Sequence, residues 1–291
     1  MISFSLQRLS IAFLFVFVTS FALNTGATSI PKTMPVKNVI VAIAMEAEAA
    51  PFIQHLQLKL VADFFPSNTP FQAYQGPHGD CTVTVITNGK DTVHETGVDN
   101  VGTVPAALAT FLALQKLPDT DILINAGTCG GFRRKGAEIG NVFVVTGVAH
   151  HDRRIPIPDY VPYGIGKLDT SRHGDFTTAE VLALELEYKL GVCTTGNSLD
   201  KTEEDDKHML ANDAAVKDME AAAIAWSCKL FDTPFLGLKV VTDIVDGEHP
   251  TQDEFLANLL AASQSLQVAL PRVLDHICHV GVVKEQAMEE L

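Results

Sequence analysis

The chain of 291 residues is 47% hydrophobic and 19% charged, which is the profile of a folded globular protein with a large core. This composition excludes a disordered or fibrous protein. The formal net charge of −14 argues against a partner bound through its phosphate backbone, so no nucleic acid is expected, and it suits a protein that handles small molecules.

The first 27 residues form a predicted leader. The apolar run IAFLFVFV (residues 11–18) follows Arg8 and is too short to cross a bilayer comfortably, and the small residues Ser20, Ala22 and Ala27 come after it. This pattern predicts a secretory signal peptide cut near Ala22 or Ala27, a secreted or secretory-pathway protein, and no stable membrane association after the leader is removed. The alternatives are an uncleaved anchor or an organelle transit peptide, with a cytoplasmic or organellar location.

After the leader, short apolar runs alternate with helical patterns. The runs are rich in β-branched residues and predict buried strands at 39–45, 81–88, 121–127, 141–148, 189–196 and 234–243. Helices are predicted at about 46–57, 97–116, 203–213, 219–231 and 251–279. The alternation predicts one α/β domain over residues 37–281, with a mixed, mostly buried central sheet flanked by helices, and a C-terminal tail over 282–291. Segment 151–175 contains prolines and little periodicity, and is predicted to be a long loop of the kind that is usually functional or mobile.

The cysteines are five in number, far apart in the chain and without CxxC spacing. This pattern predicts free, mostly buried thiols rather than a disulfide framework or a zinc site. The cysteines are Cys81, Cys129, Cys193, Cys228 and Cys278.

Isolated acids follow several of the predicted strands. Glu46 and Glu48 follow strand 39–45, Asp243 ends strand 234–243, and Glu220 begins the helix at 219–231, between a methionine and a run of alanines. Any one acid at a helix start is explained by the helix dipole alone. Because ligands of open α/β sheets bind beyond the carboxyl ends of the strands, the acids together favour a binding site.

The glycine-rich segment 127–131 follows another strand. It lacks the Gly-Lys of a P-loop and the GxGxxG spacing of a dinucleotide fingerprint. It is either a bend whose backbone N–H groups bind an anion or polar ligand, or an ordinary tight turn.

A metal site is not predicted. His150 and His151 are adjacent, and neighbours on a strand point to opposite faces of the sheet. The sequence also has no HExxH motif and no cluster of Cys and His.

Six ordered motifs carry a family resemblance: AMEAEA, NAGTCGGF, HDRRIPIP, TTGNSL, KDMEAAAIA and LKVVTDIVDG. Together they resemble 5′-methylthioadenosine/S-adenosylhomocysteine nucleosidases, of the nucleoside phosphorylase superfamily, and they are most similar to the plant type. The resemblance covers residues from about 39 to about 260, nearly the whole mature chain. It implies a nucleoside phosphorylase-like fold, hydrolysis of 5′-methylthioadenosine to adenine and 5-methylthioribose in methionine salvage, and a homodimer with HDRRIPIP near the partner subunit.

The resemblance also implies roles for particular residues. Glu48 matches the base that activates the attacking water, and Asp243 matches the acid that serves the adenine. Met219 and Glu220 match a ribose-binding pair, with Glu220 accepting hydrogen bonds from the 2′- and 3′-hydroxyls, so that a buried carboxylate beside small residues reads the sugar diol.

The remaining implied contacts lie around these groups. Thr128 matches the water and ribose side of the site, and the backbone around Leu199 and Asp200 matches the segment that reads the adenine edge. Leu199 replaces a phenylalanine that stacks on the base in bacterial members, and Lys239 replaces an arginine near the water. These departures leave base stacking, and hence tolerance of other purines, open.

The chemistry of N-glycosidic cleavage accounts for the two catalytic acids. The sugar becomes oxocarbenium-like while negative charge builds on the departing adenine. A protonated Asp243 would donate to adenine N7, which requires burial to keep its proton near neutral pH. An ionised Glu48 would accept a proton from water on the other side of the sugar. This scheme requires neither a metal nor an organic cofactor.

Two rival functions stay open. A purine nucleoside phosphorylase would use phosphate in place of water and would need arginines around that anion, whereas a carboxylate at Glu48 would repel it. The leader makes a secreted storage or binding protein of the same superfamily a second possibility, although such a protein has no need of three site acids together. Whether S-adenosylhomocysteine is a substrate also stays open.

Overall fold

A computed structural model describes residues 32–173, 176–177 and 179–284. The predicted leader, and residues 285–291 of the predicted tail, lie outside the described residues. The predictions made for them therefore stay predictions.

Seven α-helices are described, and five of them match the predicted helical segments to within a few residues. The largest boundary difference is at the helix predicted from 97, which begins at Thr103 after Gly102. The helices are α1 (Glu46–His55), α2 (Thr103–Lys116), α3 (Val161–Ile165), α4 (Ala179–Leu186), α5 (Glu203–Ala211), α6 (Ala221–Leu230) and α7 (Thr251–Val280).

All six predicted strands are present, and the described part of the chain contains eight further strands that are short or less apolar. The strands are β1 (Lys32–Met34), β2 (Asn38–Ile43), β3 (Lys59–Leu60), β4 (Gln72–His78), β5 (Cys81–Thr87), β6 (Ile122–Gly131), β7 (Val142–His150), β8 (Leu168–Asp169), β9 (Arg172–His173), β10 (Phe176–Thr177), β11 (Lys189–Thr195), β12 (Ala214–Asp218), β13 (Phe235–Ile244) and β14 (Val282–Lys284). Segment 151–175, predicted to be a long loop, contains α3, β8, β9 and a turn of 3₁₀-helix at Pro158–Tyr160.

The central sheet is mixed. Its strand order is β12-β11-β7-β13-β6-β2-β5-β4-β3. Strands β2, β5, β6 and β13 run parallel along this order, whereas β13 and β7 are antiparallel. Strand β12 also pairs antiparallel with β6, so β6, β13, β7, β11 and β12 form a closed ring.

Helices cover both faces of the sheet, as β13 shows. All ten of its residues are buried, because alternate side chains enter two different hydrophobic clusters. Leu236 and Leu238 pack with α1, α4 and α7, whereas Phe235 and Val241 pack with α2 and α6. The predicted α/β fold, with a mixed and buried central sheet flanked by helices, is confirmed.

The prediction that all five cysteines are free is wrong for two of them. Cys81, at the start of β5, and Cys278, near the end of α7, form a disulfide with a Cα–Cα distance of 5.8 Å. The bond spans 197 residues of sequence, so spacing rules for nearby cysteines gave no indication of it. Cys129, Cys193 and Cys228 are free and buried.

None of the helices in the described part of the chain combines the length and the hydropathy that a bilayer crossing requires.

Candidate active site

A cavity of about 250 Å³ lies where β6, β12 and β13 end and where the chain leaves β2. Seven of the eight residues predicted for the site line it: Glu48, Thr128, Leu199, Met219, Glu220, Lys239 and Asp243. The eighth, Asp200, is exposed and lies outside the lining. Predicted positions from five separate motifs are therefore brought together around one space.

Glu48 lies in the first turn of α1 and is buried. Its Oε1 accepts two hydrogen bonds from Thr128, one from the backbone N–H at 2.7 Å and one from the hydroxyl at 2.6 Å. Burial raises the pKa of this carboxyl, and the Thr128 hydrogen bonds and the nearby Lys239 charge partly oppose the rise. The side chain is therefore held in place, and its pKa lies above that of an exposed glutamate.

The glycine-rich segment 127–131 is not a turn. Strand β6 continues through it to Gly131 and stays paired with β13. A Cβ on Gly130 would lie 2.7 Å from Asp243 Oδ2, and a Cβ on Gly127 would lie 3.3 Å from Glu48 Oε2. The glycines therefore let two carboxyl groups approach the backbone of a continuous strand, which corrects both interpretations of this segment.

Asp243 lies near the end of β13 and is 2% exposed. Thr242 Oγ1 donates to its Oδ1 at 2.7 Å, whereas the buried Oδ2 has no hydrogen-bond partner. Burial raises the pKa of Asp243, and the hydrogen bond from Thr242 and the charge of Lys217 act against the rise. Because its pKa is raised, Asp243 keeps its proton to a higher pH than an exposed aspartate does. With one oxygen free of hydrogen bonds among the described residues, it is suited to donate that proton to a ligand in the cavity.

Glu220 is the last residue before α6, and its Oε1 accepts from the backbone N–H of Gly102 at 2.8 Å. Burial and then the charge of Asp218 raise the pKa of Glu220 to about 7. Met219 lines the same wall of the cavity. At neutral pH the Glu220 carboxyl can therefore hydrogen-bond a ligand in either protonation state.

Asp218 is a site residue that the sequence reasoning missed. Its Oδ2 forms an ion pair with Lys239 Nζ at 2.8 Å, and Thr195 Oγ1 donates to its Oδ1 at 2.6 Å. Although burial acts in the opposite direction on each pKa, the attraction between the two charges lowers the pKa of Asp218 and raises that of Lys239. Asp218 directly precedes Met219 and lies in the quoted KDMEAAAIA motif, so the motif could have pointed to it.

Lys217 is a second missed residue. It lines the cavity and is 5% exposed. A lysine in an otherwise apolar strand, next to an acid, is a sequence pattern that could have revealed it.

No group of three or more His, Cys, Asp or Glu side chains in the described ranges is arranged to hold a metal ion. His150 and His151 are buried, and burial lowers the pKa of each to about 4, so both are neutral at pH 7. His151 Nδ1 lies 3.2 Å from the Thr194 hydroxyl, and His150 Nε2 lies 3.1 Å from a guanidinium nitrogen of Arg153.

Comparison with known proteins places the chain in a family. The family model described as the phosphorylase superfamily matches residues 38–275. The chain is 44% identical over 244 residues to the 5′-methylthioadenosine nucleosidase of Arabidopsis thaliana, a match that covers 84% of this chain and 88% of the relative. It is 42% identical to the Arabidopsis thaliana 5′-methylthioadenosine/S-adenosylhomocysteine nucleosidase, over 84% of this chain and 92% of that protein.

A solved structure agrees with these sequence matches. The apo structure of Arabidopsis thaliana 5′-methylthioadenosine nucleosidase superimposes with a TM-score of 0.80 and 43% identity, and the match covers 84% of this chain and 98% of that one. The range that the family model matches, residues 38–275, contains every residue of β6, β12 and β13 that lines the cavity. The chain therefore belongs to the phosphorylase superfamily.

Proposed function

We propose that this protein is an N-glycosyl hydrolase that cleaves 5′-methylthioadenosine to adenine and 5-methylthioribose, a reaction of methionine salvage. The names of its Arabidopsis relatives support this substrate. The observation that carries the proposal is that two buried carboxyl groups, Glu48 and Asp243, line one cavity but have different hydrogen-bond environments. Two carboxyl groups with different environments are what acid–base cleavage of a glycosidic bond requires.

The proposed mechanism assigns one step to each acid. Asp243 donates its proton to N7 of the adenine as the bond between the sugar and N9 breaks, and the electron pair of that bond leaves with the base. Glu48 accepts a proton from the water that attacks the anomeric carbon. Glu220 accepts hydrogen bonds from the ribose hydroxyls, which fixes the sugar between the two acids.

Hydrolysis is favoured over phosphorolysis by the charges of the lining. Among the described residues that line the cavity, the basic side chains are Lys217 and Lys239, and Lys239 is already paired with Asp218. Arg134 pairs with Asp246 and Arg154 pairs with Asp205, and neither arginine lines the cavity. A phosphate ion in this space would lie against the Glu48 side chain without an arginine to bind it.

The test is an assay of the protein without residues 1–27, incubated with 5′-methylthioadenosine in the presence and absence of phosphate. We expect release of adenine and free 5-methylthioribose at equal rates in both conditions. A requirement for phosphate, with a sugar phosphate as product, would establish a phosphorylase instead. A folded protein that releases no adenine would favour a storage or binding role.

The same assay with S-adenosylhomocysteine tests the range of substrates. One Arabidopsis relative carries that substrate in its name and another does not, although both are similarly close to this chain.

We also propose that two copies form a homodimer through an exposed apolar surface on α2 and α6. Val104 and Leu108 on α2 and Trp226 and Leu230 on α6 are each more than half exposed. Val101, at the start of the same region, is exposed and also lines the cavity, so a second copy on this surface would help to close the site. Sedimentation should give a dimer for the native chain and a monomer for Leu108→Glu, whereas a monomeric native chain would contradict the proposal.

For the compartment, we propose entry into the secretory pathway. The predicted leader supports this, and so does the Cys81–Cys278 disulfide, because such bonds persist in oxidising compartments. Mass spectrometry of the protein isolated from its own cells should give an amino terminus after Ala22 or Ala27. A mature protein that retains the apolar run at 11–18 would contradict this proposal.

A further inference from the structure

Lys217 is a buried cation that the proposed mechanism does not use. It lies on β12 next to Asp218, and it is 5% exposed. Among the ion pairs of the described residues none includes Lys217, since the carboxylate of Asp218 pairs with Lys239 instead. A buried ammonium is costly unless its donors are used, so its hydrogen bonds indicate what it does.

Two of its three donors hold the segment that follows β11. Lys217 Nζ donates to the carbonyl of Ser198 at 2.8 Å and to the carbonyl of Leu199 at 2.7 Å. This segment has no regular structure of its own, and Leu199 lines the cavity. Lys217 therefore hydrogen-bonds two successive carbonyls in the part of the wall that is predicted to read the adenine.

The charge of Lys217 acts on Asp243. Both side chains line the cavity. Lys217 is the cation that lowers the pKa of Asp243 against the effect of burial, and Asp243 is the carboxylate that most opposes the fall in the pKa of Lys217. The Glu254 carboxyl on α7 acts on Asp243 in the opposite direction. The charges of Asp200, Asp218 and Asp205 also act on Lys217 and oppose the fall in its pKa.

We propose that Lys217 is a positioning residue of the hydrolase, which holds the Ser198–Leu199 wall against the base and stabilises the Asp243 carboxylate as its proton passes to the adenine. The inference rests on the proposed function. When Asp243 gives its proton to the base, the C–N bond breaks, the electron pair leaves with the base, and a negative charge remains on a buried carboxylate. A fixed ammonium nearby lowers the energy of that state without having to reorganise. The hydrogen bonds of Lys217 to the Ser198 and Leu199 carbonyls act on substrate binding, whereas its charge acts on the proton transfer from Asp243.

The experiment compares Lys217→Met, which keeps the length of the side chain but removes its charge and donors, with Lys217→Arg, which keeps the charge. Lys189→Met is the matched control, because Lys189 also donates to a backbone carbonyl, that of Gly136, but lies outside the cavity lining. kcat and KM for 5′-methylthioadenosine are measured from pH 5 to pH 9. Circular dichroism and thermal unfolding show whether each variant is folded.

For Lys217→Met we expect kcat to fall roughly tenfold or more and KM to rise. The basic limb of its profile of kcat against pH should move to higher pH. Loss of the ammonium raises the pKa of Asp243, so this acid stays protonated up to a higher pH. Lys217→Arg should recover most of kcat, and Lys189→Met should match the native protein. A merely structural role would lower the active fraction without moving the limb.

An active native enzyme whose Lys217→Met variant keeps the native pH profile and KM would overturn this inference and leave the proposed function standing. A native protein that releases no adenine would overturn both. Should Lys217→Met fail to fold, the comparison is made with Lys217→Gln, and a native pH profile in that variant would equally overturn the inference.

Discussion

Glu48 and Asp243 are both buried carboxyl groups, but their surroundings differ in the number of hydrogen-bond donors. Glu48 accepts two hydrogen bonds from Thr128, which stabilise its ionised form. Asp243 accepts from one donor among the described residues, Thr242, and its second oxygen is buried without a partner there. These different environments support the proposed roles of Glu48 as the base and Asp243 as the acid, which side-chain type alone would not distinguish.

The first prediction concerns these two acids. Asp243→Asn and Glu48→Gln should each lower kcat by about 10²–10⁴-fold, because each removes one proton transfer while keeping the volume of the side chain. The exposed residues Asp253 and Glu203 provide the matched controls Asp253→Asn and Glu203→Gln, which should leave kcat unchanged. Turnover close to native in a folded variant of either acid would remove it from the mechanism.

The second prediction concerns the hydrogen bond that stabilises ionised Glu48. Thr128→Val keeps the shape of the side chain but removes the hydroxyl that donates to Oε1 at 2.6 Å. Because this bond lowers the pKa of Glu48, its loss raises that pKa further, and the acidic limb of kcat/KM should move to higher pH. At neutral pH the loss in kcat/KM should be roughly tenfold, the value of one hydrogen bond to a charged group. An acidic limb that stays where it is in the native enzyme would show that Glu48 is not the base.

At the scale of elements, one ion pair joins two strands of the ring that are not hydrogen-bonded to each other. Asp218 ends β12 and Lys239 lies on β13, and the side chains of both are almost completely buried. Asp218 also accepts from the backbone N–H of Ala221 at 2.8 Å, so the pair is fixed to the start of α6 as well. The position of Glu220, between β12 and α6, depends on this junction.

The third prediction follows from the burial of this pair. Lys239→Met should lower the free energy of unfolding by about 3–5 kcal/mol, because it leaves Asp218 as an uncompensated buried charge. The double variant Lys239→Met/Asp218→Asn should recover part of that loss, which urea unfolding of the native chain, both single variants and the double variant will measure. If the losses in free energy of unfolding of the two single variants add up to the loss in the double variant, the two side chains do not stabilise the junction through their interaction.

At the scale of the whole molecule, local patterns predicted the regular elements well and long-range features poorly. The apolar, β-branched runs gave the buried strands, and helical periodicity gave α1, α2, α5, α6 and α7. The closure of the ring by β12 and β6 has no local pattern, because it joins strands that are far apart in the chain. The glycines of β6 predict a ligand-binding bend or a tight turn, whereas the structure shows a continuous strand in which glycine lets carboxyl groups from other elements approach the backbone.

The candidate site was also predictable only in part. Motif resemblance supplied seven residues that line the cavity, since each lies in a quoted motif. Lys217 and Asp218 lie in one of those motifs but were missed, because their importance depends on partners in the segment after β11 and on β13. Asp200 was included because of its sequence position, although its exposed side chain lies outside the lining.

The last prediction concerns the bond that ties the C-terminal helix to the sheet. The Cys81–Cys278 disulfide closes a loop that spans most of the described chain and links β5 to α7, whose buried side chains form part of one hydrophobic cluster. Restricting so long a loop in the unfolded chain should stabilise the folded state. Reduction or Cys278→Ser should therefore lower the free energy of unfolding by about 2–5 kcal/mol and the Tm by roughly 4–20 °C.

The protein to be tested is produced in an oxidising compartment and compared with Cys228→Ser, which removes a buried free thiol. Thiol titration of the denatured, unreduced native protein should find three free thiols, and five after reduction. Reductant should lower the Tm of the native protein and of Cys228→Ser alike but leave Cys278→Ser unchanged, because only the first two contain the bond. Five free thiols before reduction would show that the bond does not form, and would also remove one of the two supports for the proposed secretory compartment.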